Sequence, residues 1–271
     1  MSQLLHYDFT IDEFSDARLP FPHCSLADPP AGEGRAMGAL KTLSPGILTI
    51  GAYTAFAPVA WAERGEACGK DIQFLRAFAR ETGLEMDVRF FPFDRIWERP
   101  LRGQVDIAAG GIAPSDQRRL PGLAWSTPYY TVQRSLVVRT EERTELQTME
   151  DFAGRTIAVT RGSTADLDAQ RRKPSTARIV YFDRQESAIE DLFRGRIDAF
   201  GTGDICSHHL AAQHPDRLAV TDVHETETPE HFAFAMDAGS DLLASLNTFI
   251  EKNSDRYPTV PPASEWSDYQ I

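Results

Sequence analysis

The sequence predicts an α/β protein built from two lobes of like topology. Three observations lead there. Short apolar runs alternate with amphipathic stretches of helical period, the order of parallel βαβ units. That order occurs twice along the chain. A local signature recurs with it: Phe93-Asp94-Arg95 leads to Leu101-Arg102-Gly103 and Val105-Asp106, and Phe182-Asp183-Arg184 leads to Phe193-Arg194-Gly195 and Ile197-Asp198. The second copy is three residues longer between the FDR and the RG.

In the first half, ILTIGA (47–52) is a continuous apolar run and predicts a buried strand. DIQFLRAFARETG follows, with Ile72, Leu75, Phe78 and Ala79 on one helical face and Gly83 as the stop. MDVRFF (86–91) alternates and predicts a second strand. A short helix is expected through Ile96 and Leu101, then a third strand in VDIAAGG ending in a glycine turn. In the second half, TIAVT (156–160) and RIVYF (178–182) predict strands, and Ala188, Ile189, Leu192 and Phe193 mark a helical face. IDAFGTG (197–203) predicts a strand ending in a glycine turn, and DICSHHLAAQ a helix. Leu242, Leu243, Leu246, Phe249 and Ile250 form a last helical face before the Pro-rich TVPPASEWSDYQI. Lobes of this kind bind ligands in the cleft at the carboxyl ends of their strands.

Composition narrows the function. The 271 residues are 42% hydrophobic and 25% charged, an ordinary globular balance. A formal net charge of −12 opposes binding to a phosphate backbone, so no nucleic-acid partner is expected. The longest apolar candidate, Ile47 to Trp61, is broken by Gly51, Thr54 and Pro58, so no transmembrane segment is expected. Met1 to Ser15 is acidic and has no Lys or Arg, and a restart at Met37 gives no apolar core, so no export signal is visible. Residues 19–36 are rich in Pro, Gly and Ala, as in a loosely packed extension. Cys24, Cys68 and Cys206 are too few and too scattered for a disulfide framework or a CxxC metal site. His208, His209 and Cys206 share one helix, where adjacent histidines point about 100° apart and cannot easily share an ion; a helical surface is the expectation. No HExxH, G-x-S-x-G, Walker loop or GxGxxG appears in strand–helix context, and neither metal nor cofactor is expected.

Six segments carry a likeness in register: GAYTAFAPVAW, GKDIQFLRAFARETG, GQVDIAAGGIAPSDQRR, WSTPYY, DFAGRTIAVTRGST and GRIDAF. Together they resemble the family 3 extracellular solute-binding proteins, the amino-acid-type receptors of ABC importers, over Ile47 to Met236. The resemblance implies a two-lobe Venus-flytrap fold of the periplasmic-binding type II class, each lobe a mixed sheet flanked by helices. It implies an irregular extension over 1–44, lobe 1 from 45–134, lobe 2 over 135–233, and a return to lobe 1 with a tail over 234–271. Hinge crossings would lie near Val132–Val138 and His231–Phe234. A monomer that binds a small carboxylate or amino-acid-like ligand, serves an ABC permease and works in the periplasm is expected; a cytoplasmic location follows instead if Met1 is the true start.

The resemblance also implies site residues. Arg118 would fork onto the ligand's carboxylate, since a planar guanidinium matches that group with two parallel charge-assisted hydrogen bonds. Gly111, Ala113 and Ser115 would meet the same carboxylate, the first two through backbone groups alone. Ser163 and Thr164, after a strand and at a helix start, would close on it from lobe 2, where free N–H groups and the helix dipole favour an anion. Phe56 and Phe93 would stack on the ligand body, with Trp61 nearby, and Tyr53 stands where many relatives carry Asp. Amino-acid receptors place an Asp for the α-ammonium five residues after the Asp of the GRIDA-like strand; here that position is Gly203, with Asp204 one residue later. Either Asp204 turns into the cleft or the ligand lacks an α-ammonium, because a buried ammonium without a partner is costly. A second reading is a cyclohexadienyl dehydratase-like lyase on the same scaffold, with Glu186 and Asp204 as the candidate acids.

Overall fold

A computed structural model describes residues 40–253. The expectations for the extension before residue 40 and for the Pro-rich tail lie outside the described residues.

Strand β1 (Ile47–Ala52) runs into a small antiparallel flap of β2 (Ala55–Phe56), β3 (Ala60–Glu63) and β4 (Glu66–Cys68). Helix α1 (Lys70–Thr82) follows and buries Ile72, Phe74, Leu75, Phe78 and Ala79. Gly83 ends it at φ 71°, a left-handed turn that glycine adopts without Cβ strain. Next come β5 (Glu85–Phe90), β6 (Ile107–Ala109), β7 (Leu123–Trp125) and β8 (Tyr130–Val132). The short helix expected through Ile96 and Leu101 is instead two 3-10 turns, Ile96–Glu98 and Pro100–Arg102. Pro100 lacks the N–H that a continuous helix would need.

The chain continues through β9 (Arg134–Arg139), β10 (Thr156–Thr160), α2 (Thr164–Arg172), β11 (Arg178–Phe182) and α3 (Gln185–Phe193). It proceeds to β12 (Ala199–Gly203), α4 (Asp204–Gln213), β13 (Leu218–His224), β14 (Glu230–Phe232), β15 (Ala235–Asp237) and α5 (Leu242–Lys252).

Two five-stranded sheets have one strand order. The first is β5-β1-β6-β15-β7 and the second β11-β10-β12-β9-β13. In each, the first βαβ strand lies between its two parallel successors, and one antiparallel strand joins from elsewhere in the chain. The antiparallel pair β8–β14 links the two bodies, pairing Val132 with Glu230 and Tyr130 with Phe232.

The repeated signature has a common structural cause. Asp106 and Asp198 each close the same loop. Asp106 donates its N–H to the Thr49 carbonyl at 2.9 Å and takes the Thr49 N–H on its carboxylate at 2.8 Å. Asp198 does the same with Thr156, at 2.8 Å in both directions. Gly103 and Gly195 both turn left-handed, at φ 62° and 66°. The three extra residues of the second copy go with helix α3 in place of 3-10 turns.

Each lobe has its own core. The first gathers Leu48, Ile50, Phe78, Ile107 and Phe234 around α1 and α5, with Phe249 edge-on to Phe74 at 5.0 Å. The second is split by its sheet into two clusters, one around Phe152 and one around Phe200. Ile205 of α4 reaches back into the first lobe's core. His209 on that helix is 3% exposed, so the expected helical surface is in fact buried there. Cys68 is disulfide-bonded, a link that the scattered cysteines did not suggest. Among the described residues no helix is long and apolar enough to cross a membrane.

Candidate functional site

Tyr53 and Phe56 follow β1, Phe93 follows β5, and Gly111 follows β6, so the carboxyl ends of three parallel strands gather on one side of the first lobe. Thr160, Ser163, Thr164 and Gly203 come from the corresponding ends in the second lobe. Together with Arg134, Gly201, Thr202 and Phe232 they line a small cavity of about 30 Å³ between the lobes, room for a water and well short of a small-molecule site, so a ligand enters only if the lobes part. A larger open groove beside α1 and edge strand β5, lined by Arg76, Arg80 and Met86, lies apart from this boundary.

Arg118 is 2% exposed. Its guanidinium donates to the Ala113 carbonyl in its own lobe and, at 2.8 Å, to the Gly162 carbonyl in the other. The group lies over the ring of Trp97, 4.3 Å from its centroid, and 5.4 Å from that of Phe93, a cation–π arrangement. Burial pulls its pKa down to about 10; nearby Glu230 opposes that fall and Arg134 adds to it. The side chain therefore keeps its charge at neutral pH. A guanidinium has five N–H donors, so two carbonyl contacts leave capacity for a carboxylate.

The glycine loop beneath is fixed from behind. Asp71, fully buried in the first turn of α1, accepts the N–H groups of Gly110 and Gly111 at 2.8 and 3.0 Å and the Tyr129 hydroxyl at 2.9 Å. The Gly111 N–H is thus already bonded, which corrects the expectation that it serves a ligand. A Cβ on Gly111 would lie 2.6 Å from Cε1 of Phe56, so the aromatic ring sits directly over the loop. Phe93 meets Tyr53 edge-on at 5.2 Å.

The second lobe shows a similar correction. Ser163 caps α2 by accepting the Asp166 N–H at 3.1 Å, and its own N–H donates to the Thr160 carbonyl. Gly162 donates its N–H to Asp166. The N–H groups of Gly162 and Ser163 are therefore not free, and Thr164 is left facing the cavity beside Thr160 and Thr202.

Asp204 does not turn into the cleft. Its carboxylate accepts the Tyr130 hydroxyl at 3.1 Å and the Gln133 N–H at 3.2 Å, and it makes no side-chain cap on α4. Burial raises its pKa, while the Tyr130 and backbone bonds oppose the rise. The glycine turn expected after β12 is also absent: Gly203 has φ −90° and leads straight into α4. Trp61 packs with Ala57 and Cys68 in a separate small cluster. The Ser115 hydroxyl is buried with no hydrogen-bond partner among the described residues, beside the 3-10 turn Asp116–Arg118 that carries the arginine.

Sequence reasoning missed Arg134 and its partner Glu230, bonded at 2.7 Å. A charge at the head of the apolar strand RSLVVR was the available signal. It also missed Asp71, hidden among ordinary helix-start residues.

Arg118, Ala113 and Ser115 lie outside the lining of the cavity; two duplicated α/β lobes, joined by a strand pair with a cavity and a buried guanidinium at their boundary, define the class of two-lobe binders of small molecules. The chain matches the model of the bacterial extracellular solute-binding proteins, family 3, over residues 48–256, and it belongs to that family. Its role is solute binding. It is 24% identical over 155 residues to the probable amino-acid-binding protein YxeM of Bacillus subtilis, covering 57% of this chain and 58% of that one. It is 22% identical over 211 residues to the arginine-binding extracellular protein ArtP of Bacillus subtilis, covering 77% and 81%. Its fold is similar to that of the amino acid ABC transporter substrate-binding protein AbpA of Streptococcus pneumoniae bound to L-arginine. There the TM-score is 0.72 at 24% identity, covering 83% of this chain and 96% of that one.

Proposed function

We propose that this chain captures a small carboxylate between its lobes, with Arg118 as the anchor, and delivers it to an ABC-type permease outside the cytoplasmic membrane. The observation that carries the reading is the buried Arg118 guanidinium at the boundary, bonded to Ala113 in one lobe and Gly162 in the other. Opening the lobes releases the Gly162 carbonyl, and an entering carboxylate takes over those N–H donors. Closure then brings Thr160, Thr164 and Thr202 against the ligand from the second lobe, a hinge motion about the strand pair β8–β14. The aromatic wall of Phe56, Phe93 and Tyr53 holds the ligand's body. Asp204 is held by Tyr130 and Gln133, which speaks against the lyase reading for that acid.

The test is a thermal-shift and calorimetric screen of small carboxylates against the protein and its Arg118→Lys variant. A ligand is expected to raise Tm, to be recovered unchanged, and to bind the variant about tenfold to a hundredfold more weakly, the scale of a charge-assisted fork. Equal affinity for both proteins removes Arg118 as the anchor.

A further inference from the structure

Among the described residues lining the cavity, none is Asp or Glu, and the charged one is Arg134. In the sheet register Arg134 stands directly opposite Gly203. A Cβ at Gly203 would lie 3.9 Å from the Arg134 Nη1, so the guanidinium is close beside the space that a side chain at 203 would use. Arg134 is 5% exposed, and its Nε has no hydrogen-bond partner. Its Nη2 is held by Glu230 at 2.7 Å. The Glu230 charge also acts through space on Arg118. Asp204 acts on Arg134 as well. A 2-amino acid would bring its ammonium beside Arg134, with no carboxylate among the described lining residues to receive it.

We infer that the second polar subsite is built for an oxygen acceptor, and that the ligand is a 2-oxo or 2-hydroxy acid rather than a 2-amino acid. This rests on the carboxylate reading of the same cleft. Arg118 takes the carboxylate. Arg134, with its Nε–H unused by Glu230, donates to the neighbouring oxo or hydroxyl oxygen. Gly203 supplies the room, and Thr202 beside it adds a hydroxyl to the lining.

The experiment uses matched pairs that differ only at the second carbon: phenylpyruvate and phenylalanine, 4-methyl-2-oxopentanoate and leucine, 2-oxoglutarate and glutamate. Each is titrated calorimetrically into the protein, into Arg118→Lys, and into the double variant Arg134→Gln with Glu230→Gln. The double change avoids stranding a buried carboxylate, and its Tm reports whether it folds. At least one oxo acid is expected to bind about tenfold or more tightly than its amino partner, and the double variant to lose that preference. Gly203→Asp, at a φ of −90° that any residue adopts, adds a carboxylate beside the guanidinium and is expected to cancel the preference with a small shift of Val132. An amino acid that binds as tightly as its oxo partner, through Arg118, overturns this inference alone. A preference that survives in the double variant also overturns it. Binding of none of the six acids overturns the carboxylate reading with it.

Discussion

The Tyr53 hydroxyl donates to the Asp183 carbonyl at 2.9 Å, joining the end of the first strand of one lobe to the FDR segment of the other. The FDR of the first lobe faces the same boundary through Phe93. The duplicated signature therefore brings both of its copies to the meeting surface, once as a wall and once as a backbone acceptor. Burial and the nearby Glu186 and Asp183 hold the Tyr53 phenol well above its ordinary pKa, with a Thr160 hydrogen bond opposing them, so it remains a donor.

Tyr53→Phe removes that donor and keeps the ring. A neutral hydrogen bond is worth about 1 kcal/mol, or roughly a fivefold change in a two-state population. The ligand-free protein is expected to shift toward open lobes by that factor. Distance distributions between spin labels placed on α1 and α3 read the shift. Superimposable distributions for the two proteins would show that the bond does not govern closure.

Gly111 combines φ +69° with a ring in the way of any Cβ, whereas Gly103 at φ +62° has nothing within 4 Å. Gly103→Ala is expected to cost about 1 kcal/mol from backbone strain alone. Gly111→Ala is expected to cost about 1–3 kcal/mol more, because Phe56 must move. Urea unfolding of both variants measures the difference. A difference near zero means that Phe56 is free to swing aside.

His209 gives the fold a pH dependence. Burial lowers its pKa from 6.5 to about 4, with Lys70 and His214 adding to the fall. In the folded protein it stays neutral where the unfolded chain already binds a proton. Stability is therefore lost as pH falls from about 6.5 toward 4, by on the order of 2–3 kcal/mol. His209→Asn is expected to flatten that part of the profile relative to the wild type. Parallel profiles for the two proteins across this window would dismiss the histidine as the source.

Much of the fold was legible because it is written in local periodicity. TIAVT and RIVYF are strands β10 and β11 to the residue, and the α1 face is the buried face. The repeated Asp was visible as letters, but its reason, a loop lock on Thr49 and Thr156, is a tertiary contact that no spacing reveals. The 3-10 turns were missed although Pro100 was in plain view. Within the cavity, Tyr53, Phe56, Phe93, Gly111, Ser163 and Thr164 were named from the chain alone. What they do there was less legible. The N–H groups of Gly111 and Ser163 go to partners 40 residues earlier and three residues earlier, Asp71 and Thr160. Arg134 escaped because it enters through strand register with Gly203, a relationship between positions far apart in sequence.

The return of β15 to the first sheet, after the contiguous strands β9 to β13 of the second, sets an order of assembly. The earlier sheet needs β15, and its core needs α5, both synthesised after every strand of the later sheet. On the ribosome the later body can finish first, while the earlier one waits with apolar strand edges unpaired. That interval is when an unfolded-chain chaperone or a translocation machine that accepts only unfolded polypeptide has its opportunity.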